Sequence, residues 1–403
     1  MVRTRQLIMG SPSRLFLSTR GLTSGLALVL ALYYTKLLGV EKRSILVFIM
    51  VSALILTVVF TSGMSLTFRN RPADSINSND LTAYLSVITL GGFLVAILNC
   101  GLLSFYAQSK SELPISIYVI AFIYSFLACI NLGFQDALVA KGNLKLATFF
   151  DFNTIFIQGL CLFFFVYLDQ TSLFMSVILS FVISYLLTVF AAISVFVQTE
   201  RIQFQGLISN IKLLARSSKQ NQLFGIATGL ADRIDRFLIG LLLPLAFLAK
   251  YALITSMISF TRFFPEAYNR VLLLKHHQVQ TSSRKKLSVP AYFLIGGTIV
   301  AFVYLSQIFV EIFFGDNWLL PINVGLIFAL QEVLRGLYQS KATLLIASGE
   351  SRLVSKSSFF LIVGSILLMI VGINYFGLVG APMTMVLIYS ILIRVMNNRL
   401  RMA

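Results

Sequence analysis

Four ionisable residues stand within five positions at Asp232-Arg-Ile-Asp-Arg236, inside an otherwise apolar stretch. A second set, Gln331, Glu332, Arg335 and Gln339, interrupts another such stretch, and Arg20 stands in the first. An ionised group in hydrocarbon costs about 2.5–3.5 kcal/mol on insertion scales, so such residues face partners or water. Asp232 and Arg236 are i,i+4 neighbours and Glu332 and Arg335 are i,i+3, spacings at which side chains on one helix pair. That pairing leaves Arg233 pointing elsewhere, with Gly229 and Phe237 at its i−4 and i+4 positions. Two chemistries fit this pattern. A guanidinium meets a phosphate or pyrophosphate with two parallel hydrogen bonds, which an ammonium cannot do. Arg20, Arg233, Arg236 and Arg335 are therefore candidate anion ligands, with Gln331 beside them as a neutral candidate ligand. A carboxylate in the same wet space can exchange a proton or a sodium ion, which makes Asp232, Asp235 and Glu332 candidate ion-coupling residues. The plainer alternative is that both pairs only stabilise their own helices.

Other chemistry finds little support. Three cysteines, Cys100, Cys129 and Cys161, all lie in apolar runs, where neither a disulfide framework nor a thiolate metal site is expected. The two histidines, His276 and His277, are adjacent in a basic polar stretch, and adjacent side chains on a helix point apart. No metal site and no cofactor is expected. No Walker-type glycine loop occurs, which argues against ATP hydrolysis. Glu266 and Arg270 read as a snorkelling i,i+4 pair at the end of a span.

The elements that must carry these residues follow from composition. Of 403 residues, 58% are apolar and 12% charged, against about 45–50% and about 25% in soluble domains. That excludes a soluble globular protein, a disordered chain and a nucleic-acid-binding domain. A helical span needs about 20 apolar residues. Twelve runs qualify, near 15–38, 44–66, 83–107, 115–138, 147–168, 173–197, 223–244, 248–270, 288–314, 320–346, 356–376 and 378–396. None alternates as a membrane β-strand would. Six of the eight prolines fall at or near run ends. The fold class expected is an all-α polytopic membrane protein of about twelve transmembrane helices.

With the N-terminus inside, twenty Lys and Arg fall on inside segments, and four (Lys42, Arg43, Lys110, Lys250) on outside loops. The positive-inside rule then places both termini in the cytoplasm. The longest polar connection, Gln198–Gln222, divides the chain almost in half. In it Phe204, Leu207, Ile208, Ile211 and Leu214 recur at helical spacing, as in a linker helix or one lying on the membrane surface. The expected organisation is an N-terminal lobe over 1–200, a cytoplasmic linker helix over 201–222 and a C-terminal lobe over 223–403. The halves echo each other: Ala140-Lys-Gly-Asn-Leu-Lys145 matches Ala347-Ser-Gly-Glu-Ser-Arg352 at an offset of 207, and Leu37-Leu-Gly39 matches Leu242-Leu-Pro244 at 205. Two six-helix lobes with the same order mark transporters with a site between parallel repeats.

Several segments carry a family resemblance. Asp232-Arg-Ile-Asp-Arg-Phe-Leu-Ile-Gly240 followed by Leu248-Ala-Lys-Tyr-Ala252 resembles the seventh and eighth helices of the polysaccharide repeat-unit (O-antigen, Wzx-type) flippases. These belong to the multidrug/oligosaccharidyl-lipid/polysaccharide exporter superfamily. Tyr34-Thr-Lys-Leu-Leu-Gly39 is similar to the end of their first helix, and Phe313-Phe-Gly-Asp316 and Phe376-Gly-Leu-Val-Gly-Ala381 to their outer turns. The resemblance implies two six-helix lobes around a central cavity in the bacterial inner membrane. It implies translocation of undecaprenyl-pyrophosphate-linked oligosaccharide by alternating access, coupled to an ion or to the membrane potential. The implied partners are that lipid-linked oligosaccharide, membrane lipids, a polysaccharide polymerase and glycosyltransferases. Two other functions bear weighing. A multidrug cation antiporter of the same superfamily should have an acidic cavity, whereas arginines here match carboxylates in number. A membrane enzyme, such as a polysaccharide polymerase or an acyltransferase, should show a large outer loop or an intramembrane histidine, and neither is present.

Overall fold

Inside a bilayer no water is at hand to bond backbone N–H and C=O groups, so a spanning segment must satisfy them within a helix. In the computed structural model, which describes residues 12–69, 76–110, 113–168, 172–199, 206–259, 289–347 and 350–402, twelve α-helices and two short 3-10 turns are present. They are α1 (Pro12–Arg69), α2 (Ser78–Lys110), α3 (Ile115–Ala140), α4 (Leu144–Leu168), α5 (Leu173–Thr199), α6 (Leu207–Ala231), α7 (Ile234–Leu242), α8 (Leu245–Ser259), α9 (Val289–Phe314), α10 (Ile322–Ala347), α11 (Ser351–Phe376) and α12 (Gly380–Met402). Among the described residues seven stretches are long and apolar enough to cross a membrane. Two of them, Gly21–Phe68 and Leu353–Asn398, run to 48 and 46 residues and exceed one crossing. The chain is a multi-pass membrane protein.

The helices correspond to the apolar runs with two differences that compensate in the count. The first two runs are joined without a loop, as two helical stretches that meet at a kink at Gly39 and together make up α1. The Gly39 φ of 69° and ψ of −177° are non-helical, open to glycine but strained for other residues. The expected outer loop at Lys42–Arg43 is therefore helical. Arg43 is 3% exposed, with its guanidinium 4.4 Å from the centroid of the Tyr34 ring. The seventh run, conversely, breaks at Asp232–Arg233 into the end of α6 and the short α7. Within the Gln198–Gln222 connection a helix starts at Leu207 and runs on to Ala231 without interruption. Ile208 on it is exposed and Leu214 is buried. Pro265, Glu266, Arg270, His276 and His277 lie outside the described residues.

The chain divides into two compact units, Met1–Leu230 and Ala231–Ala403. In the first, α1 packs on α2, α3, α4 and α5. Helix α6 joins this unit through its own glycines, which lie against α1. A Cβ on Gly225 would come within 2.9 Å of Ser62, and one on Gly229 within 2.5 Å of Val58, so the bare backbone is what permits the approach. Neutral polar groups tie the helices together. Ser52 Oγ donates to Asn99 Oδ1 at 2.5 Å, and Asn99 Nδ2 donates to Ser125 Oγ at 2.7 Å, joining α1, α2 and α3. Ser65 and Tyr84 hydroxyls meet at 2.8 Å, and Thr154 and Thr188 at 2.9 Å. In the second unit α10 packs on α9 and α12, and α7 lies against α8, α11 and α12. Helix α10 carries Glu332, Arg335 and Lys341 into this packing.

Candidate functional site

The break in the seventh run explains the geometry of the charged cluster. In an unbroken helix the carbonyl of Asp232 would accept the N–H of Arg236. Instead that N–H donates to the Asp235 side chain, Oδ1, at 2.7 Å. The Asp232 carbonyl in turn accepts from Nη2 of Arg236 at 2.5 Å. Backbone pairing resumes one residue later, Phe237 N–H to the Arg233 carbonyl, at 3.2 Å. Arg233 itself takes the N-cap position of α7, with non-helical φ −138° and ψ −18°. The motif thus supplies, from its own side chains, the hydrogen bonds that the break removes. Left unmade in a low-dielectric interior, each would cost several kcal/mol.

Ion pairing differs from the spacing-based expectation. Asp232 and Arg236 do not pair carboxylate to guanidinium as i,i+4 neighbours, because the helix that would align them is interrupted between them. The Asp232 carboxylate reaches α10 instead, where Arg335 Nη2 lies 2.7 Å from its Oδ1. Arg335 also meets Glu332 at i,i+3, Nη1 to Oε2 at 3.3 Å, as the spacing predicts. One buried guanidinium therefore bridges two carboxylates from two elements. Arg335 is 6% exposed and Glu332 4%.

Asp235 is buried as well, at 3% exposure. Besides the Arg236 N–H it accepts the hydroxyl of Tyr251 on α8 at 2.9 Å, and the Arg236 Nε lies 3.7 Å away. The Tyr251 ring is held edge-on by Phe328 of α10, with centroids 5.9 Å apart. Tyr251 was not among the residues that spacing singled out, although it sits in the quoted Leu248–Ala252 segment. A phenol in an apolar helix was the available signal.

The structure brings Asp232, Arg233, Asp235, Arg236, Glu332 and Arg335 into one neighbourhood of the C-terminal unit. Gln331 is adjacent on α10 and 2% exposed. Arg20 belongs to the N-terminal unit, and its side chain is outside the described residues. The arginines are not equivalent. Arg335 is committed to two carboxylates, whereas the Arg236 side chain is 22% exposed. A guanidinium has five N–H groups. Among the described residues Arg236 donates one Nη2 hydrogen bond to the Asp232 carbonyl and lies at ion-pair distance from Asp235 through a buried Nε that makes no hydrogen bond. Its Nη1 group and the second Nη2 proton are not used by these contacts.

No protein-family model and no curated protein sequence matches this chain. Solved structures do. The inward closed conformation of the lipid II flippase MurJ aligns over 96% of this chain and 87% of its own, with TM-score 0.72 and 12% identity. An inward-facing multidrug resistance MATE family transporter of the MOP superfamily aligns over 95% and 94%, with TM-score 0.66 and 14% identity. A MOP superfamily transporter from Pyrococcus furiosus, described as having a binding pocket of reverse polarity, aligns over 98% and 97%, with TM-score 0.57 and 15% identity. The chain shares the fold of these structures.

Proposed function

We propose that the protein is a flippase that moves undecaprenyl-pyrophosphate-linked oligosaccharide repeat units across the bacterial inner membrane by alternating access, coupled to an ion or to the membrane potential. The observation that carries this reading is Arg236, a partly exposed guanidinium with spare donors in an otherwise apolar helical body. Such a group suits an anionic headgroup carried by a lipid. The likeness to a lipid II flippase adds support at the level of fold. In this reading Arg20, Arg233, Arg236 and Gln331 serve the substrate, Arg335 organises the cluster, and Asp232, Asp235 and Glu332 are the coupling carboxylates. A polysaccharide polymerase and glycosyltransferases are the expected functional partners.

The test is restoration of surface polysaccharide in a flippase-null strain, with membrane abundance of each variant measured in parallel. Arg236→Ala and Arg233→Ala are expected to abolish it, and Arg233→Lys to reduce it, at normal abundance. Full activity of both alanine variants would overturn the reading. The likeness to MATE transporters favours a second reading, multidrug cation export. Drug efflux that survives Arg236→Ala but not Asp232→Asn would select it. Both termini are expected in the cytoplasm: reporter fusions after Arg399 and within 169–172 should report opposite sides.

A further inference from the structure

We propose that Tyr251 is a positioning residue that fixes the Arg236 guanidinium for an oxyanion, acting through Asp235. This rests on the reading of Arg236 as the anion-binding arginine and names the device that sets it.

A four-bond side chain such as arginine loses much rotamer freedom when it is held, and a guanidinium recognises a phosphate oxygen pair only when its plane is set. Arg236 is set from two sides. The Asp232 carbonyl takes one Nη2 donor by a hydrogen bond, and the Asp235 carboxylate holds the Nε side electrostatically, 3.7 Å away and without a hydrogen bond. The second hold is only as fixed as Asp235 itself. Oδ1 is occupied by the Arg236 backbone N–H at 2.7 Å, and Oδ2 by the Tyr251 hydroxyl at 2.9 Å. The hydroxyl is thus the tie from another helix that keeps the carboxylate from turning about its Cβ–Cγ bond. Tyr251 is itself 1% exposed and wedged against Phe328, so its ring does not move with ligand. Arg335 does not do this work, since Asp232 and Glu332 already take its charge. The ligand class that matches a partly exposed guanidinium with Nη donors to spare is a phosphate or pyrophosphate group.

The experiment uses the full-length protein in lipid nanodiscs with two independent readouts. The first is the rate at which phenylglyoxal modifies Arg236, followed by peptide mass spectrometry, with the exposed Arg216 of α6 as internal reference. In Tyr251→Phe the Arg236 rate is expected to change several-fold while the Arg216 rate stays constant. An unchanged Arg236 rate overturns the positioning role. The second readout is binding of inorganic pyrophosphate by wild type, Tyr251→Phe, Arg236→Gln and the double variant. Tyr251→Phe is expected to weaken binding roughly three- to tenfold, within what loss of one hydrogen bond to a charged group allows. It should add nothing in the Arg236→Gln background, the signature of two residues acting as one unit. Equal losses in both backgrounds would overturn the route through Arg236. Absence of saturable pyrophosphate binding by wild type, with the reactivity change intact, would overturn the anion-site reading and leave the tie between Tyr251 and Arg236 standing.

Discussion

The two units solve the same problem, joining helices inside an apolar body, with a different balance of chemistry. Each also holds a tie of the other kind, Lys141 to the Ile76 carbonyl in the first and Thr384 to the Leu368 carbonyl in the second. The N-terminal unit joins α1, α2 and α3 at Ser52, Asn99 and Ser125, and α4 to α5 at Thr154 and Thr188, all neutral groups. The C-terminal unit joins the helix break to α10 with a guanidinium between two carboxylates, and to α8 with a carboxylate that accepts a phenol. Neutral hydroxyls also bond back to their own helix, as Ser125 does to the Ala121 carbonyl while accepting from Asn99, and so are satisfied before any partner arrives. A buried charge has no such fallback. It must find a partner or water, because the loss of solvation is of order several kcal/mol per ion. Ion clusters are therefore poor general-purpose glue in a membrane protein. Their concentration at one helix break is what makes it the candidate site, in a way that the hydroxyl contacts are not.

The sharpest way to break this contrast is to remove the bridging cation. Arg335→Ala leaves Asp232 and Glu332 facing each other without compensation, and thermal unfolding in detergent should register a loss of about 3–5 kcal/mol. Neutralising the whole triad, as Asp232→Asn, Glu332→Gln and Arg335→Met together, should recover most of that loss while transport stays absent. Recovery of both stability and transport would show that the triad is only scaffold.

The neutral contacts should behave differently. Asn99→Ala removes the amide that links two serines and should cost about 1–3 kcal/mol, with transport per folded molecule preserved. Loss of transport at normal abundance would place this node in the mechanism and erase the distinction between the units. The smallest effect is expected from Thr154→Val, which removes one hydroxyl pair at near-constant volume and should shift stability by about 0.5–1.5 kcal/mol. A larger effect at Thr154 than at Arg335 would reverse the comparison altogether.

Much of the architecture was legible along the chain. Continuous apolar runs need only local information, since every backbone bond of a spanning helix closes within four residues. The runs at 83–107 and 115–138 accordingly correspond to α2 and α3. Pro114, Pro244 and Pro321 stand at helix starts, where a missing N–H costs least. The chemistry was legible at the level of residue type: Asp232, Arg233, Asp235, Arg236, Glu332 and Arg335 were marked by charge alone, and Glu332 with Arg335 by spacing. The partners were not. Spacing reports neighbours on one continuous helix, and the helix stops at Asp232–Arg233, so the i,i+4 relation with Arg236 has no geometric meaning there. Where the Asp232 carboxylate goes was decided by which helix packs beside the break and what that helix carries. Arg335 lies about a hundred positions away along the chain and 2.7 Å away in space. In a medium of low dielectric the nearest opposite charge in space prevails over the nearest in sequence, because the full solvation loss is recovered only at contact. For the same reason the role of Tyr251 was invisible in its own helix: a hydroxyl acquires meaning from the carboxylate that tertiary packing sets against it.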